Sequence, residues 1–569
     1  MYINSFKLKG TVFVILSNKD AIQKIEEQIG ESIVSNTDPT PALTSKIQKH
    51  LATLRKQQKF ETRTYFQLYP SDPIPPRLYG VIKAHKPEKC YPMRTIVSTI
   101  GTPPYGISQY LVELIQPTLN KSKYKITNSS SFVNEAKDWL VKRDEVQVSY
   151  DIVNLYPSVP INKALDVLMD QLNSDKDDLM KRTKLCLKDI YELAELCLNK
   201  CYFLWNGEIR ILKNSGPIGL SFMVVLSESY VQNLEQKAIA EALTLNLAPT
   251  TYRRYVDDTH ARFESKGQSR KFQKILNKQD KHIQFTIEDE NGEKCLNFLD
   301  IKIKNNNGKY EFNVHRKPAI TNVQIKPHSC IPPDTVTSIF KGFLARATKI
   351  CSGKYLKEEI EYLTDIFCEN GHDRKTLKKI INDFEKKTRT TINTTNNNNT
   401  NKKQTITVPW IPKIGPKIKK EIQKFGFRVA FKTGPNLNSI LCKNKDKLMP
   451  NSYPGVYELK CSCGSVYNGE TKKKVITRSI EHQQESIKGN WTSSGATEHT
   501  KECHGCFDWL HPKTLSIKNR YYDRKVRESL EIDMAVVKYG QEKVLNRDNG
   551  NFVKTNAWKP LFRKMKTLH

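Results

Sequence analysis

The sequence lacks the features that would place a chain in a membrane or among secreted disulfide proteins. It has no run of about 18 apolar residues, so no membrane-spanning helix is predicted. Its first residues contain no apolar stretch as long as that of a secretory signal. Its 13 cysteines are an odd number spread over 569 residues, which favours a reduced compartment over a disulfide framework.

Acidic residues are also scarce relative to basic ones. The chain has 60 Asp and Glu against 92 Lys and Arg, which gives a formal net charge of +32. Such an excess of positive charge favours a polyanionic partner. A chain of 569 residues is too long for one hydrophobic core, so we expect several domains.

Three aspartates predict a site for phosphoryl transfer. Asp257 and Asp258 are adjacent in the segment YVDD at 255–258, and adjacent carboxylates repel each other unless a hard cation lies between them. Upstream, the strand-like segment 148–159 contains Asp151 and, five positions later, Tyr156. Two-metal polymerases need carboxylates from two strands, and Asp151 and Asp257 are the expected pair.

Basic residues and glycines lie between and before these aspartates. Lys83 occurs in the segment PRLYGVIKAHKP at 76–87 and Arg94 in PMRTIVS at 92–98, where both are available to clamp a triphosphate. The segment SGPIGLS at 215–221 opens an apolar helical stretch. Its glycines permit close backbone approach, so we expect Gly219 to contact a templating base or nucleotide.

These segments, in this order, resemble the reverse transcriptases. Six segments are similar in sequence to the Penelope-like retroelement branch. They are LYGVIKAHKP, PMRTIVS, DIVNLYPSVPI, FTIE at 285–288, LNFLDI at 296–301 and HRKP at 315–318. The resemblance implies a right-hand polymerase with fingers, palm and a helical thumb. It also implies that Asp151, Asp257 and Asp258 bind two Mg²⁺ ions. Lys83 and Arg94 would bind the incoming dNTP, and Tyr156 would screen the sugar 2′-hydroxyl.

We expect an α+β multidomain protein with the following boundaries. Residues 1–75 form an N-terminal region that the resemblance implies is truncated, residues 76–330 form fingers and palm, and residues 331–388, with apolar positions at helical spacing, form the thumb. Residues 389–406 are rich in Asn and Thr and predict a disordered linker. A basic connector over 407–452 then leads to a second module over 453–569, which we expect only the linker to tether.

The second module combines two tyrosines with a helix and a later carboxylate. The strand-like segments GVYELK at 455–460 and SVYNG at 465–469 would place Tyr457 and Tyr467 on one face of a sheet. Arg478 and His482 follow at i,i+4 spacing, which puts them on one side of a helix. Glu528 lies in a later helical segment that can direct its carboxylate at the same face.

This set resembles the GIY-YIG nucleases, which are small α/β domains. The resemblance implies that Glu528 binds one Mg²⁺ and that Tyr457 or Tyr467 positions or activates the attacking water. It also implies that Arg478 stabilises phosphate charge, that His482 belongs to the catalytic set, and that Asn546 supports the site. Asn468 departs from the family, which usually has an apolar residue there.

A cluster of cysteines and histidines in the same module predicts a zinc site. Two thiolates and two imidazoles can hold Zn²⁺ tetrahedrally, and Cys461, Cys463, His499 and His504 supply such a set. Cys503 or Cys506 is the alternative for one histidine. Penelope-like nuclease domains carry a similar set, and the resemblance implies a structural role.

The expected function is that of a retroelement enzyme. It would nick DNA with its C-terminal module and copy RNA into DNA from the exposed 3′-hydroxyl, with template RNA, primer and target DNA and dNTPs as partners. One alternative is a telomerase-like or host-retained reverse transcriptase; another is a decayed element that acts only as a nucleic-acid-binding protein. The expected location is the nucleus, with the cytoplasm as the alternative, and no membrane partner is expected.

Overall fold

The computed structural model describes residues 2–8, 10–30, 32–83, 90–198, 201–212, 219–317, 321–392, 404–436, 445–446, 448–503 and 505–547. These residues form a mixed α+β structure. We divide it into an N-terminal module, which ends at residue 392, and a C-terminal module, which begins at residue 404. Among the described residues, no helix is long and apolar enough to cross a membrane.

The N-terminal module begins with a hairpin and continues into a mixed sheet. Its first elements are β1 (Tyr2–Leu8), β2 (Gly10–Leu16), α1 (Asn18–Ile29), β3 (Ile33–Ser35), α2 (Thr40–Lys56), α3 (Thr62–Leu68), β4 (Arg77–Ile82) and β5 (Met93–Ser98). The helices α4 (Tyr105–Leu119) and α5 (Ser129–Ala136) follow.

The middle of the N-terminal module supplies a second sheet and its covering helices. In chain order the elements are β6 (Val146–Ile152), α6 (Leu155–Ser158), α7 (Ile161–Ser174), α8 (Lys176–Met180), α9 (Leu187–Leu198), β7 (Tyr202–Trp205), β8 (Glu208–Ile211), α10 (Ser221–Thr244), β9 (Thr251–Tyr255), β10 (Asp258–Phe263), α11 (Lys266–Gln279) and β11 (Phe285–Asp289). The four-stranded sheet has the order β11-β6-β10-β9. The five-stranded sheet, in the expected fingers region, has the order β3-β8-β7-β4-β5.

The largest hydrophobic core lies between the four-stranded sheet and helices that include α4, α7, α10 and α11. Side chains alternate between the two faces of a strand, so Tyr150 and Ile152 of β6 are buried in this core while Asp151 is exposed on the other face. Helix α10 is buried along most of its length, and its buried residues include the polar or charged Ser227, Glu228, Gln232 and Glu235.

Three helices follow a further sheet of three strands. The strands are β12 (Cys295–Phe298), β13 (Ile301–Asn306) and β14 (Lys309–Val314), and the helices are α12 (Pro333–Ile350), α13 (Gly353–Glu369) and α14 (Arg374–Ile392). The helical spacing of apolar residues in the expected thumb is therefore confirmed. The disordered linker expected over 389–406 is corrected at both ends, because α14 reaches Ile392 and a strand begins at Thr405. Residues 393–403 lie outside the described residues.

The C-terminal module contains a small parallel pair of strands and an antiparallel sheet with three helices. Its elements are β15 (Thr405–Pro409), α15 (Gly415–Lys424), β16 (Arg428–Lys432), β17 (Gly455–Lys460), β18 (Val466–Thr471), α16 (Val475–Ile487), α17 (Gly495–Glu502), β19 (Lys513–Ile517) and α18 (Tyr521–Tyr539). Strand β15 pairs in parallel with β16, from Thr405 opposite Arg428 to Pro409 opposite Lys432. The second sheet has the order β18-β17-β19.

Candidate active sites

The three aspartates of the N-terminal module converge at one end of the four-stranded sheet. Asp258 opens β10 directly opposite Asp151 of β6, and residues opposite each other in an antiparallel pair share a face. Val256 has a φ of 57°, which makes the turn between β9 and β10 tight, and the carbonyl of Asp257 accepts a hydrogen bond from the Ile152 amide at 3.3 Å. The turn thus holds Asp257 beside the end of β6.

The electrostatics of this cluster fit a divalent cation. Burial, together with the nearby charges of Asp257 and Asp151, raises the pKa of Asp258 to about 6. Like-charged carboxylates that disfavour each other's ionisation are a suitable donor set for Mg²⁺, which prefers oxygen ligands. The cluster can therefore hold the Mg²⁺ ions expected from the sequence.

A buried arginine supports the aspartate turn from behind. Arg254 is 1% exposed and lies between Glu228 and Glu235 of α10, with Nη1 donating to Glu228 Oε2 at 2.8 Å and Nε to Glu235 Oε1 at 2.5 Å. Nη1 also donates to the Val256 carbonyl at 2.8 Å. The sequence interpretation missed these residues. The available signal was a pair of glutamates seven positions apart in a segment rich in apolar residues, where a buried carboxylate needs a cation.

Arg94 and Tyr156 extend the cluster toward the fingers sheet. Arg94 is exposed on β5, opposite Val81 of β4, and the Lys83 amide donates to the Pro92 carbonyl at 2.8 Å, so Lys83 and Arg94 lie at the same end of this strand pair. Burial raises the pKa of Tyr156, the charge of Asp257 raises it further, and the charge of Arg94 lowers it. Tyr156 is therefore within electrostatic range of both the aspartate turn and Arg94.

Gly219 lies close to the backbone of β5. Its φ is 126°, and a Cβ added there would lie 2.1 Å from the carbonyl oxygen of Val97 on β5. Thr99 Oγ1 donates to the Gly219 carbonyl at 3.0 Å. The glycine is thus required for packing against the fingers sheet. Its expected contact with a nucleotide stays a prediction.

The two tyrosines of the C-terminal module lie on one face of its sheet. Tyr457 of β17 pairs with Gly469 of β18, and the rings of Tyr457 and Tyr467 are 6.5 Å apart between centroids. A Cβ at Gly469 would lie 2.6 Å from the Tyr457 hydroxyl, so only glycine leaves room for this phenol. Tyr457 is 1% exposed, whereas Tyr467 is only partly buried.

A neutral histidine orients the buried tyrosine. The hydroxyl of Tyr457 lies 2.8 Å from His482 Nε2, and His482 Nδ1 lies 3.0 Å from Ser494 Oγ. Burial lowers the pKa of His482 to about 4, and the charge of Arg478 also lowers it. At neutral pH one ring nitrogen is therefore an acceptor, and the contacts are satisfied when Tyr457 donates to Nε2 and Nδ1–H donates to Ser494.

Arg478 and Glu528 approach these tyrosines from two helices. Arg478 of α16 is close enough to Tyr457 and Tyr467 for both phenols to influence its pKa, and it donates to Glu481 Oε2 at 3.1 Å. Glu528 of α18 accepts from the Glu470 amide at 3.0 Å through Oε1 and from Lys525 Nζ at 2.9 Å through Oε2. Glu528 is thus fixed at the edge of β18.

Asn546 and Asn468 form one polar connection. The Asn468 amide donates to Asn546 Oδ1 at 3.0 Å, and Asn546 Nδ2 donates to the Asn468 carbonyl at 2.6 Å. The buried Asn468 side chain donates to the Glu531 carbonyl at 3.0 Å. The side-chain amide nitrogen of Asn468 therefore links β18 to the helix that carries Glu528, whereas its buried Oδ1 accepts no hydrogen bond from the described residues.

The cysteine and histidine cluster differs from the expected set in one member. Cys461, Cys463, His499 and Cys503 place one ligand atom each within 4.8 Å of one another. His504 lies outside the described residues. Two sulfur ligands of a tetrahedral zinc ion lie about 3.8 Å apart, and Cys461 Sγ and Cys503 Sγ are 4.0 Å apart. Three thiols and one imidazole thus fit a structural metal site, with Cys503 as the alternative ligand anticipated from the sequence.

Comparisons with known proteins give one family match and several distant structural similarities. Residues 324–382, which contain α12, α13 and the start of α14, match the animal helix-turn-helix domain. Telomerase from Candida albicans in complex with a TWJ fragment of telomeric RNA is similar at 8% identity and a TM-score of 0.45, over 67% of this chain and 66% of that one. Apo telomerase from Candida tropicalis is similar at 11% identity and a TM-score of 0.37, over 67% of this chain and 68% of that one.

A viral enzyme is also similar. The BmCPV RNA-dependent RNA polymerase at elongation state has 11% identity and a TM-score of 0.32. The similarity covers 61% of this chain but only 31% of the viral chain. No curated protein matches the sequence significantly.

Proposed function

We propose that the N-terminal module is an RNA-directed DNA polymerase of a Penelope-like retroelement. The observation that carries the proposal is the convergence of Asp151, Asp257 and Asp258 at the end of two paired strands, with Tyr156 within electrostatic range of Asp257 and Arg94. The sequence resemblance supplies the choice of RNA as template and DNA as product.

The side chains divide the work of such a site. Lys83 and Arg94 bind the triphosphate of the dNTP, and Tyr156 occupies the space that a 2′-hydroxyl would need. The three aspartates would hold two Mg²⁺ ions, which when bound lower the pKa of the primer hydroxyl and neutralise the leaving pyrophosphate. Arg254 keeps the aspartate turn rigid through its bond to Val256.

Primer extension on an RNA template tests this proposal. We expect Asp257→Asn to reduce Mg²⁺-dependent dNTP incorporation to background while RNA binding stays near the parent level, because affinity comes mainly from lysines and arginines. Glu264→Gln is the matched control, since Glu264 lies just beyond the other end of β10 in an exposed pair with Lys142. Extension by Asp257→Asn at a rate comparable to the control would contradict the assignment.

We also propose that the C-terminal module nicks DNA. The specific observation in favour is that Tyr457, Tyr467 and Arg478 form one group. This group lies beside β18, whose Glu470 amide donates a hydrogen bond to Glu528. Burial raises the pKa of Tyr457 well above its usual value, so this phenol stays protonated and orients its neighbours. The more exposed Tyr467 is then the residue that positions the attacking water, and Arg478 stabilises the phosphate charge.

Glu528 would hold a single Mg²⁺, which when bound polarises the scissile phosphate. The nick would expose a 3′-hydroxyl from which the polymerase copies RNA, and the place of action would be the nucleus. A telomerase-like enzyme would extend an existing DNA end and would not need this nuclease. Nicking of intact duplex DNA therefore distinguishes the two functions.

Relaxation of a supercoiled plasmid measures the nuclease. We expect Glu528→Gln to abolish nicking and RNA copying on intact duplex, yet to spare copying from a pre-nicked duplex. Asp523→Asn is the control on the same helix, because Asp523 is exposed in the first turn of α18. Loss of copying on the pre-nicked substrate as well would mean that Glu528 is needed for folding, and the nick-then-copy sequence would be withdrawn.

We further propose that Cys461, Cys463, His499 and Cys503 bind a structural Zn²⁺. The donor set is rich in thiols, which are preferred ligands of Zn²⁺, whereas Mg²⁺ prefers oxygen ligands. Cys461 and Cys463 follow β17, while His499 and Cys503 belong to α17 and the residue after it. The ion would therefore connect the sheet that carries Tyr457 to the helical side of the module.

A further inference from the structure

The helix that carries Arg478 and His482 begins at a residue that cannot cap it. Helix α16 starts at Val475, and its N-cap residue Lys474 has no side-chain oxygen to accept hydrogen bonds from the first turn. The first backbone N–H groups of a helix need such acceptors, and a negative charge there is favoured by the helix dipole. The acceptor for this helix must come from elsewhere.

The acceptor comes from the N-terminal module. Asp72, which precedes Lys474 by 402 residues, accepts a hydrogen bond from the Lys474 amide with its Oδ2. Its Oδ1 lies 3.4 Å from Lys474 Nζ, and the side chains of Asp72 and Lys474 are 14% and 25% exposed. One partly buried carboxylate thus caps the nuclease helix and pairs with its N-cap residue.

A second contact reaches the same helical turn. The amide of Val475 donates to the Tyr453 carbonyl at 3.1 Å. The hydroxyl of Tyr453 accepts from Nη1 of Arg77, the first residue of β4, at 3.1 Å. The residue that holds the Val475 amide is therefore itself bound to the fingers sheet.

Further contacts fix the segment just before Tyr453 on that sheet. Lys445 Nζ donates to Ser98 Oγ of β5 at 2.8 Å and lies 4.9 Å from the ring centroid of Tyr79 of β4. The Asp446 carboxylate accepts from the Gly207 amide at 3.1 Å, and its carbonyl accepts from Arg77 at 3.1 Å. The expectation that only the linker joins the modules is corrected by these contacts.

We propose that Asp72 is a positioning residue of the nuclease site, and that the fingers sheet is the docking surface on which this site becomes competent. The inference rests on the proposed nuclease function. Arg478 lies four residues after Lys474, so fraying of the first turn displaces the guanidinium from Tyr457 and the substrate phosphate. Nicking would then be efficient only when the C-terminal module is docked on the polymerase, which keeps the nicked end close to the site that extends it.

Variants of Asp72 in the full chain test the proposal. We expect Asp72→Ala to lower the kcat of plasmid nicking about tenfold, with KM for DNA and primer extension unchanged, because loss of a charged cap frays the turn. Asp72→Asn retains an acceptor oxygen and is expected to recover most of the activity. Amide hydrogen exchange of residues 474–478 is expected to accelerate in Asp72→Ala and to stay near the parent rate in Asp72→Asn.

Asp38→Ala is the matched control. Asp38 accepts from the Thr40 amide at 2.9 Å, so it is also a carboxylate at a helix start, but within the N-terminal module. It is expected to leave nicking and exchange at 474–478 unchanged.

The outcomes separate the two proposals. Parent-level nicking and exchange in Asp72→Ala would overturn the positioning role, and so would an equal loss of primer extension that Asp72→Asn does not recover. If the parent nicks no faster than Glu528→Gln, the nuclease function itself fails. In that case, exchange at 474–478 that is unchanged in Asp72→Ala would overturn the docking as well, whereas accelerated exchange in Asp72→Ala would support the docking.

Discussion

Replacement of Arg254 by alanine tests how the aspartate turn is held in position. The guanidinium is 1% exposed, and the change would leave Glu235, with a side chain 0% exposed, without its cation, and Glu228, 8% exposed, with Lys125, whose Nζ lies 3.8 Å from Glu228 Oε1. Removing one partner of a buried ion pair costs about 3–5 kcal/mol, since the remaining charge stays buried without compensation. The Val256 carbonyl also loses its donor, so we expect primer extension to fall.

The stability loss is large enough to measure by thermal unfolding. Each kcal/mol lowers the melting temperature by about 2–4 °C for a domain of 150–250 residues, so about 3–5 kcal/mol corresponds to roughly 6–20 °C. The N-terminal module is larger than such a domain, which places the expectation near the lower end of this interval. Arg270→Ala is the control, because its pair with Asp289 is more exposed and surface pairs contribute about 0–1 kcal/mol.

The pH dependence of the loss identifies its cause. Burial raises the pKa of Glu235, while Arg254 holds the pKa of Glu228 below its usual value against the effect of burial. Without Arg254 both folded-state pKa values would exceed the unfolded value of about 4.3, so the variant loses stability as pH rises above that value. The deficit relative to the parent should therefore shrink on acidification from pH 8 toward pH 5.

A compensating variant completes the test. Adding Glu228→Gln and Glu235→Gln to Arg254→Met removes the buried charges together and is expected to recover most of the melting temperature. A melting temperature of Arg254→Ala within about 2 °C of the parent, together with undiminished primer extension, would refute the reasoning, since such a shift corresponds to about 1 kcal/mol or less.

Three further predictions concern other parts of the chain. Tyr156→Ala should admit ribonucleotides, and an unchanged dNTP-to-rNTP preference in single-nucleotide incorporation would contradict its screening role. Cys503→Ser should lose bound zinc and melt earlier, while the exposed Cys506→Ser should do neither; metal analysis of the purified chains decides this. Burial lowers the pKa of His260 to about 3, so its contribution to stability is lost as pH falls below about 6.5, and the melting temperature of His260→Gln should decline less between pH 6.5 and pH 4.

Much of the local structure could be predicted from the sequence. Apolar alternation around Asp151, the YVDD turn and the helical spacing of the expected thumb are periodic signals, and they correspond to β6, the β9–β10 turn and α12 to α14. Tyr457 and Tyr467 share a sheet face, as expected from their segments: residue parity fixes side-chain direction within each strand, and the register places Tyr467 opposite Leu459, two residues from Tyr457.

Other features depend on which surfaces pack together, and these had no periodic signal. Cys503 joins Cys461, Cys463 and His499 in the metal cluster because α17 ends beside the turn after β17. Gly219 faces the backbone of β5 because the start of α10 packs against the fingers sheet.

The sequence by itself determined the chemistry of the chain: a basic protein with three aspartates in strand and turn segments, and a second set of tyrosines, an arginine and a glutamate. Only the tertiary structure decided that Arg254 pairs with two glutamates of α10 and that Asp72 caps the helix of Arg478. Spacing along the chain specifies geometry over a few residues, whereas a buried charge or an uncapped helix finds its partner among all the surfaces that folding brings together.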